Sequence, residues 1–195
     1  MTQQAPPPAV ILVRPQEEGN VGAVARAMAN MGLDELILVE PQCELGRMAA
    51  AFAVDAQEIL EAHRNCGDFA EAIVPFHRLV ATSSSRGRIL KRQPIGPREL
   101  PALLATDPPG TRTALVFGGE RSGLTTEELA RCDPLVTVPA AARQPTLNLA
   151  QAVLILAYEL WAARAGTSGR EEASPPAAPA EIQVAPPPQT ASVGE

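Results

Sequence analysis

Aromatic side chains are scarce: one tryptophan, one tyrosine and four phenylalanines in 195 residues. So few rings argue against a protein that reads nucleobases mainly by stacking. No apolar run approaches the roughly 18 residues of a spanning helix, which excludes a helical membrane protein. The start, Met1 to Pro8, has no basic region followed by an apolar stretch, so no secretory signal is expected. Cys43, Cys66 and Cys132 are an odd, scattered set. They exclude a disulfide framework and point to a cytoplasmic protein. His63 and His77 have no companion at ligand spacing, so no metal site is expected. There is no Walker sequence and no Gly-x-Ser-x-Gly elbow. The formal charge of −6 argues, taken whole, against a nucleic-acid partner.

Proline is plentiful, at 20 residues, and unevenly placed. Pro6, Pro7 and Pro8 mark a flexible N-terminus, residues 1–8. Pro175, Pro176, Pro179, Pro186, Pro187 and Pro188 lie near the other end. From Gly166 onward there is no Leu, Phe, Met, Trp or Tyr. Such a segment cannot bury enough apolar surface to offset its ordering entropy, so 166–195 reads as a disordered tail. The folded unit is then residues 9–165. The tail holds Arg170 against Glu171, Glu172, Glu181 and Glu195, so half of the −6 lies outside the fold.

Within 9–165, short apolar runs alternate with helical patterns. Val10–Val13, Glu35–Glu40, Arg78–Thr82, Thr113–Phe117 and Leu135–Val138 read as buried strands. Asn20 is placed to cap a helix that ends near Gly32. Asp55 is placed to cap a helix over 56–65, and Pro97 to open one over 98–106. Thr125 and Glu128 have capping-box spacing. Leu147–Ala165 is the longest helix, apolar on most sides, so it is central or lies in a subunit interface. This alternation predicts an α/β fold with a mostly parallel sheet.

Three segments carry candidate chemistry. The first, Gly19-Asn-Val-Gly-Ala-Val-Ala-Arg26, follows a strand and opens a helix. Gly22, Arg26 and Asn30 fall on one helix face by spacing. The context suits a dinucleotide site, but the long loop and Glu17-Glu18 would repel a pyrophosphate. The second, Phe117-Gly-Gly-Glu-Arg-Ser-Gly-Leu-Thr125, sits at the carboxyl end of a buried strand, where α/β sheets bind ligands. The third, Arg143-Gln-Pro-Thr-Leu-Asn-Leu-Ala-Gln-Ala-Val153, leads into the long helix. A basic patch, Arg86, Arg88, Lys91 and Arg92, follows the third run and suits phosphate contacts.

Together these segments resemble the SpoU (TrmH) family of RNA ribose 2′-O-methyltransferases, of the SPOUT class. The matching motifs are Asn20-x-Gly22-x-x-x-Arg26, Leu115–Leu124 and Leu147-Asn-Leu-Ala-Gln-Ala-Val153, supported by Leu156-Ala-Tyr-Glu-Leu160. Their order and spacing are most similar to the TrmJ branch, whose members methylate a ribose in the tRNA anticodon loop. The resemblance implies S-adenosylmethionine as methyl donor, a homodimer, tRNA or rRNA as partner, and a C-terminal trefoil knot. It assigns the cofactor to Thr82, Ser83, Ser84, Gly118, Val138, Thr146, Leu147 and Asn148. It makes Arg26 catalytic, with Asn20 and Glu120 expected to orient it, and gives RNA to the Arg86–Arg92 patch. A guanidinium stays protonated in proteins, so Arg26 is expected to stabilise a developing alkoxide or a phosphate rather than act as a base. Three departures stand out. Gly119 replaces a common Arg, Gln144-Pro145-Thr146 replaces a usual Tyr-Ser-Ser, and a low-complexity tail stands where a helical domain usually follows. The alternatives are a non-catalytic RNA-binding module of the same fold and a dinucleotide-binding α/β enzyme.

Overall fold

The computed structural model describes residues 6–83 and 93–167. Six strands, all paired in parallel, form one sheet in the order β3-β2-β1-β5-β4-β6. They are β1 (Ala9–Val13), β2 (Leu36–Val39), β3 (Arg64–Cys66), β4 (Arg78–Thr82), β5 (Thr113–Gly118) and β6 (Leu135–Val136). The helices are α1 (Glu18–Asn30), α2 (Arg47–Ala53), α3 (Gln57–Glu61), α4 (Phe69–Ile73), α5 (Leu100–Leu104), α6 (Thr126–Ala130) and α7 (Leu149–Thr167).

The period of two along the strands separates two cores. Val10 and Leu12 of β1, with Leu115 and Phe117 of β5, face a layer that includes α1, α2, α3 and α7. Ile11 and Val13, with Ala114 and Val116, face α4 and α6. Burial on both faces is why the strands read as continuous apolar runs. β1 and β5 lie side by side at the centre, so the loops at their carboxyl ends meet.

Several expectations shift. Helix α1 starts at Glu18 after an N-cap at Glu17, so Asn20 is inside the first turn and caps nothing. Asp55 is not a cap either: Ala56 precedes a short α3 that ends at Glu61, and β3 takes up the end of the span expected to be helical. Residues 97–99 form a 3-10 turn before α5. The capping box is present: Glu128 N–H donates to Thr125 Oγ1 (3.2 Å), and Thr125 N–H to Glu128 Oε2 (2.7 Å). At the N-terminus Pro8 is buried, and the Pro6 carbonyl accepts from Arg164 Nη2 (3.2 Å). The long helix runs through Gly166 to Thr167, past the expected boundary. The remainder of the predicted tail lies outside the described residues.

Helix α7 is neither wholly central nor wholly exposed. Leu149, Val153, Leu156 and Leu160 are buried against the sheet. Leu154, Tyr158 and Trp161 stay exposed on the outer face. Among the described residues, no helix is long and apolar enough to cross a membrane.

Candidate active site

A cleft of about 590 Å³ opens at the carboxyl ends of β4, β5 and β6. Thr82 and Ser83 of the β4 end, the loop Gly118–Leu124 after β5, and Val138 beyond β6 form its walls. Residues Pro145 to Leu149, at the start of α7, close it from above. Glu17 and Asn20 line it from the α1 side. The three sequence segments therefore meet at one place.

Glycine makes the loop after β5 possible. A Cβ at Gly118 would lie 2.1 Å from the Gly123 carbonyl carbon, and one at Gly119 would lie 2.2 Å from the Arg14 carbonyl oxygen. Both contacts are to backbone, so neither position has room for a side chain. Gly123 N–H donates to the Gly119 carbonyl (2.9 Å), and Gly123 has φ +64°, which favours glycine. An Arg at 119 would therefore require the Arg14 backbone to move in this chain.

A run of hydrogen bonds crosses the cleft wall. Asn148 Nδ2 donates to Asn20 Oδ1 (2.8 Å), and Asn20 Nδ2 donates to Glu120 Oε1 (2.8 Å). Glu120 also accepts the N–H of Gln16 (3.0 Å) and of Glu17 (3.4 Å). At the far end, Asn148 Oδ1 accepts from Ala150 N–H (2.9 Å) as the Asx cap of α7. Each amide has its oxygen and nitrogen facing a defined partner, which fixes both side chains in one orientation.

Within this chain Asn20 and Glu120 are bonded to each other, and Arg26 lies outside the cleft, exposed on the outer side of α1. Six residues on from Asn20, it points to a different side of the helix. The α1 start forms no pyrophosphate cradle, in line with the long loop and Glu17-Glu18. The Gln16 and Glu17 N–H groups already serve the Glu120 carboxylate, which would repel an anion. That removes the basis for a dinucleotide enzyme. Gly22 is buried rather than ligand-facing, pressed against α2 at Ala49.

Of the predicted cofactor residues, Thr82, Ser83, Gly118, Val138, Thr146, Leu147 and Asn148 all line the cleft. Ser84 lies outside the described residues, as do Arg86, Arg88, Lys91 and Arg92. Sequence reasoning missed Arg14. It grips Glu128 through a fork, Nη1 to Oε1 at 2.6 Å and Nη2 to Oε2 at 2.8 Å. Burial pushes the Glu128 carboxyl up, but Arg14 and the Thr125 bonds outweigh that and hold it below the usual carboxylate range. The one available signal was a lone Arg directly after the first apolar run. Burial pushes the Cys132 thiol up to about 12, and it donates to the Glu128 carbonyl. Among the described residues, no cluster of three His, Cys, Asp or Glu stands close enough to hold a metal.

A model of the SpoU rRNA Methylase family matches residues 7–158. The chain belongs to this family. It is 42% identical over 154 residues to the tRNA (cytidine-2′-O-)-methyltransferase TrmJ of Methanocaldococcus jannaschii, covering 78% of this chain and 66% of that one. The crystal structure of TrmJ from Z. mobilis ZM4 is 36% identical and superposes with a TM-score of 0.75, over 82% of this chain and 70% of that one. A structure described as giving insight into the 2-OH methylation of C/U34 on tRNA is 28% identical, with a TM-score of 0.63, over 81% of this chain and 96% of that one. The chain spans only 62–66% of the length of the first curated relatives it matches.

Proposed function

We propose that the chain transfers a methyl group from S-adenosylmethionine to a ribose 2′-hydroxyl of RNA, with the anticodon loop of tRNA as target. The hydrogen-bonded series Asn148–Asn20–Glu120 carries this reading, because it joins the three family segments at one cleft. The names of the TrmJ relatives support the tRNA target.

The cleft suits the cofactor. Its volume is within the range of roughly 300–1,000 Å³ usual for small-ligand sites. Phe117, Val138 and Leu147 offer apolar walls, and Glu17 and Glu120 bring carboxylates that suit a cation. The ligand has no phosphate, so a site without a Walker lysine fits it. When bound, S-adenosylmethionine supplies an electrophilic methyl group. Thr82, Ser83, Ser84, Gly118, Val138, Thr146 and Leu147 are the residues to hold it. Asn148 holds Asn20 and caps α7, so its side chain serves the wall rather than the ligand. Pro145 adds no backbone donor there. Glu120 already accepts from three donors, so it serves the wall rather than acting as a spare base. Much of the rate then comes from positioning the 2′-oxygen in line with the methyl group.

The reading includes the family's trefoil knot, with residues 145–149 sharing one cleft with the β4 and β5 ends. It includes RNA phosphate contacts from Arg86, Arg88, Lys91 and Arg92. It also includes a homodimer in a cytoplasmic setting. The exposed Leu154, Tyr158 and Trp161 give α7 an apolar outer face that a second copy would cover. Light scattering should return twice the chain mass, and Trp161→Glu should return one. A wild-type monomer across the micromolar range would rule the dimer out.

Arg26 is assigned to RNA phosphate or the developing alkoxide, reached from its exposed place on α1. Arg26→Ala should cut turnover by about 100-fold while leaving cofactor binding intact. Normal turnover in Arg26→Ala would remove that role. The deciding experiment is methyl transfer from labelled S-adenosylmethionine to bulk tRNA and rRNA, with mapping of the modified nucleotide. Cofactor binding without 2′-O-methylation of any RNA would favour the non-catalytic alternative.

A further inference from the structure

Arg14 follows β1 directly and does not line the cleft. Its backbone is left-handed, with φ 53°, which non-glycine residues rarely adopt. Its carbonyl oxygen lies where a Cβ of residue 119 would have to go. Its guanidinium turns the other way, into the two-bond fork on Glu128, with Glu40 Oε2 a more distant partner at 3.4 Å. The Glu128 side chain is only 10% exposed, so the fork is shielded from water on that side. Glu128 Oε2 in turn accepts the Thr125 N–H (2.7 Å), which anchors the start of α6.

Gly119 and Thr125 bound the segment that carries Glu120 to Leu124, all of which line the cleft. One residue therefore meets one end of this segment directly and reaches the other through Glu128. We propose that Arg14 is a positioning residue for the cleft: its carbonyl seats Gly119, and its fork on Glu128 anchors Thr125, so that the loop between them holds its ligand-binding shape. This rests on the methyltransferase reading, since the ligand it positions the loop for is S-adenosylmethionine.

A residue that only stabilised the fold would lower the melting temperature and leave the affinity of the folded protein alone. The test is calorimetric titration of the full chain with S-adenosylmethionine, at a temperature where circular dichroism shows each variant folded. Arg14→Gln removes the ion pair. Glu128→Gln keeps the shape and a carbonyl acceptor for Thr125 while removing the charge that Arg14 grips. Arg14→Lys keeps the charge and loses the fork, and serves if the other two do not fold. The Kd should rise about tenfold or more in Arg14→Gln and Glu128→Gln, and by less in Arg14→Lys. The Arg14→Gln/Glu128→Gln pair should be no worse than the weaker single variant, since both remove one clamp. Folded variants whose Kd stays within about twofold of wild type would overturn the inference, as would fully additive losses. Wild type that binds no S-adenosylmethionine would bring down the methyltransferase reading and this inference with it. Wild type that binds, with indifferent variants, would bring down this inference alone.

Discussion

Glu120→Ala should nearly abolish methyl transfer while leaving the protein folded. The carboxylate gathers three donors from one loop and helix start: Gln16 N–H, Glu17 N–H and the Asn20 side chain. Without it, Asn20 loses the acceptor that fixes its amide, and Asn148 then faces a partner free to turn. The wall between α1 and α7 loses its set shape, and a negative charge beside the cleft disappears. Fixed electrostatics aimed at a reacting centre are typically worth a hundredfold or more in rate, so a loss of about 100-fold to 1,000-fold is expected. Stability should move little, because Glu120 is exposed and its donors can turn to water. Single-turnover methyl transfer at saturating cofactor, alongside a thermal melt, measures both. Glu120→Gln separates shape from charge. It fits the same space but sets an NH₂ group against donors, so it should fall nearly as far. Wild-type turnover in Glu120→Ala would remove the Asn148–Asn20–Glu120 series from the mechanism.

The second large effect is on the fold. Gly22→Ala should destabilise the protein, although alanine is the better helix former by about 1 kcal/mol. The reason is the neighbour. A Cβ at 22 would lie 2.1 Å from the Ala49 carbonyl oxygen and 2.9 Å from its carbonyl carbon. Both are backbone atoms of α2, so no side chain can swing aside. The two helices would have to part, opening the core they share through Val21, Ala25, Ala49 and Ala53. Overpacking of this kind costs about 1–3 kcal/mol, and a rigid backbone contact sits at or above the top of that range. For a domain of this size that is a fall in Tm of roughly 6–12 °C. Urea unfolding of Gly22→Ala measures it directly: a lower midpoint with an unchanged slope is expected. A midpoint equal to wild type would mean the helices are free to separate.

Much of the frame was legible in the residues themselves. Five of the six strands announce themselves as apolar runs because a parallel sheet covered on both faces needs such runs. The sixth, Arg64-Asn-Cys66, has no run, for it is an edge strand with two exposed residues, and its extended form comes from pairing with Ile37–Val39. Helix α2 was also hidden. Its N-cap is Gly46, which has no capping side chain, and N–H groups at its start are served from α1: Glu18 Oε2 accepts from Gly46 N–H (2.7 Å) and Ala49 N–H (3.2 Å). A cap supplied from 28 residues away leaves no local signature.

The same division holds at the site. The residue types and their order along the chain were enough to single out the three segments and the family they match. Their partnership was not. Asn20 reads locally as a helix cap and Asn148 as another, and only the second is one. What joins them is the fold, which brings Asn20 to Glu120 across 100 residues and to Asn148 across 128. Arg26, assigned by motif to the same centre, is turned outward by the helix that carries it. Arg14 carries no motif at all, yet it meets one end of the loop that lines the cleft at Gly119 and reaches the other through Glu128. Local pattern determined the strands, the layers and the family, because burial and periodicity are properties of neighbouring residues. Hydrogen-bond partners and backbone contacts between distant segments were decided only in three dimensions, where the parallel sheet sets the loops of β1 and β5 side by side.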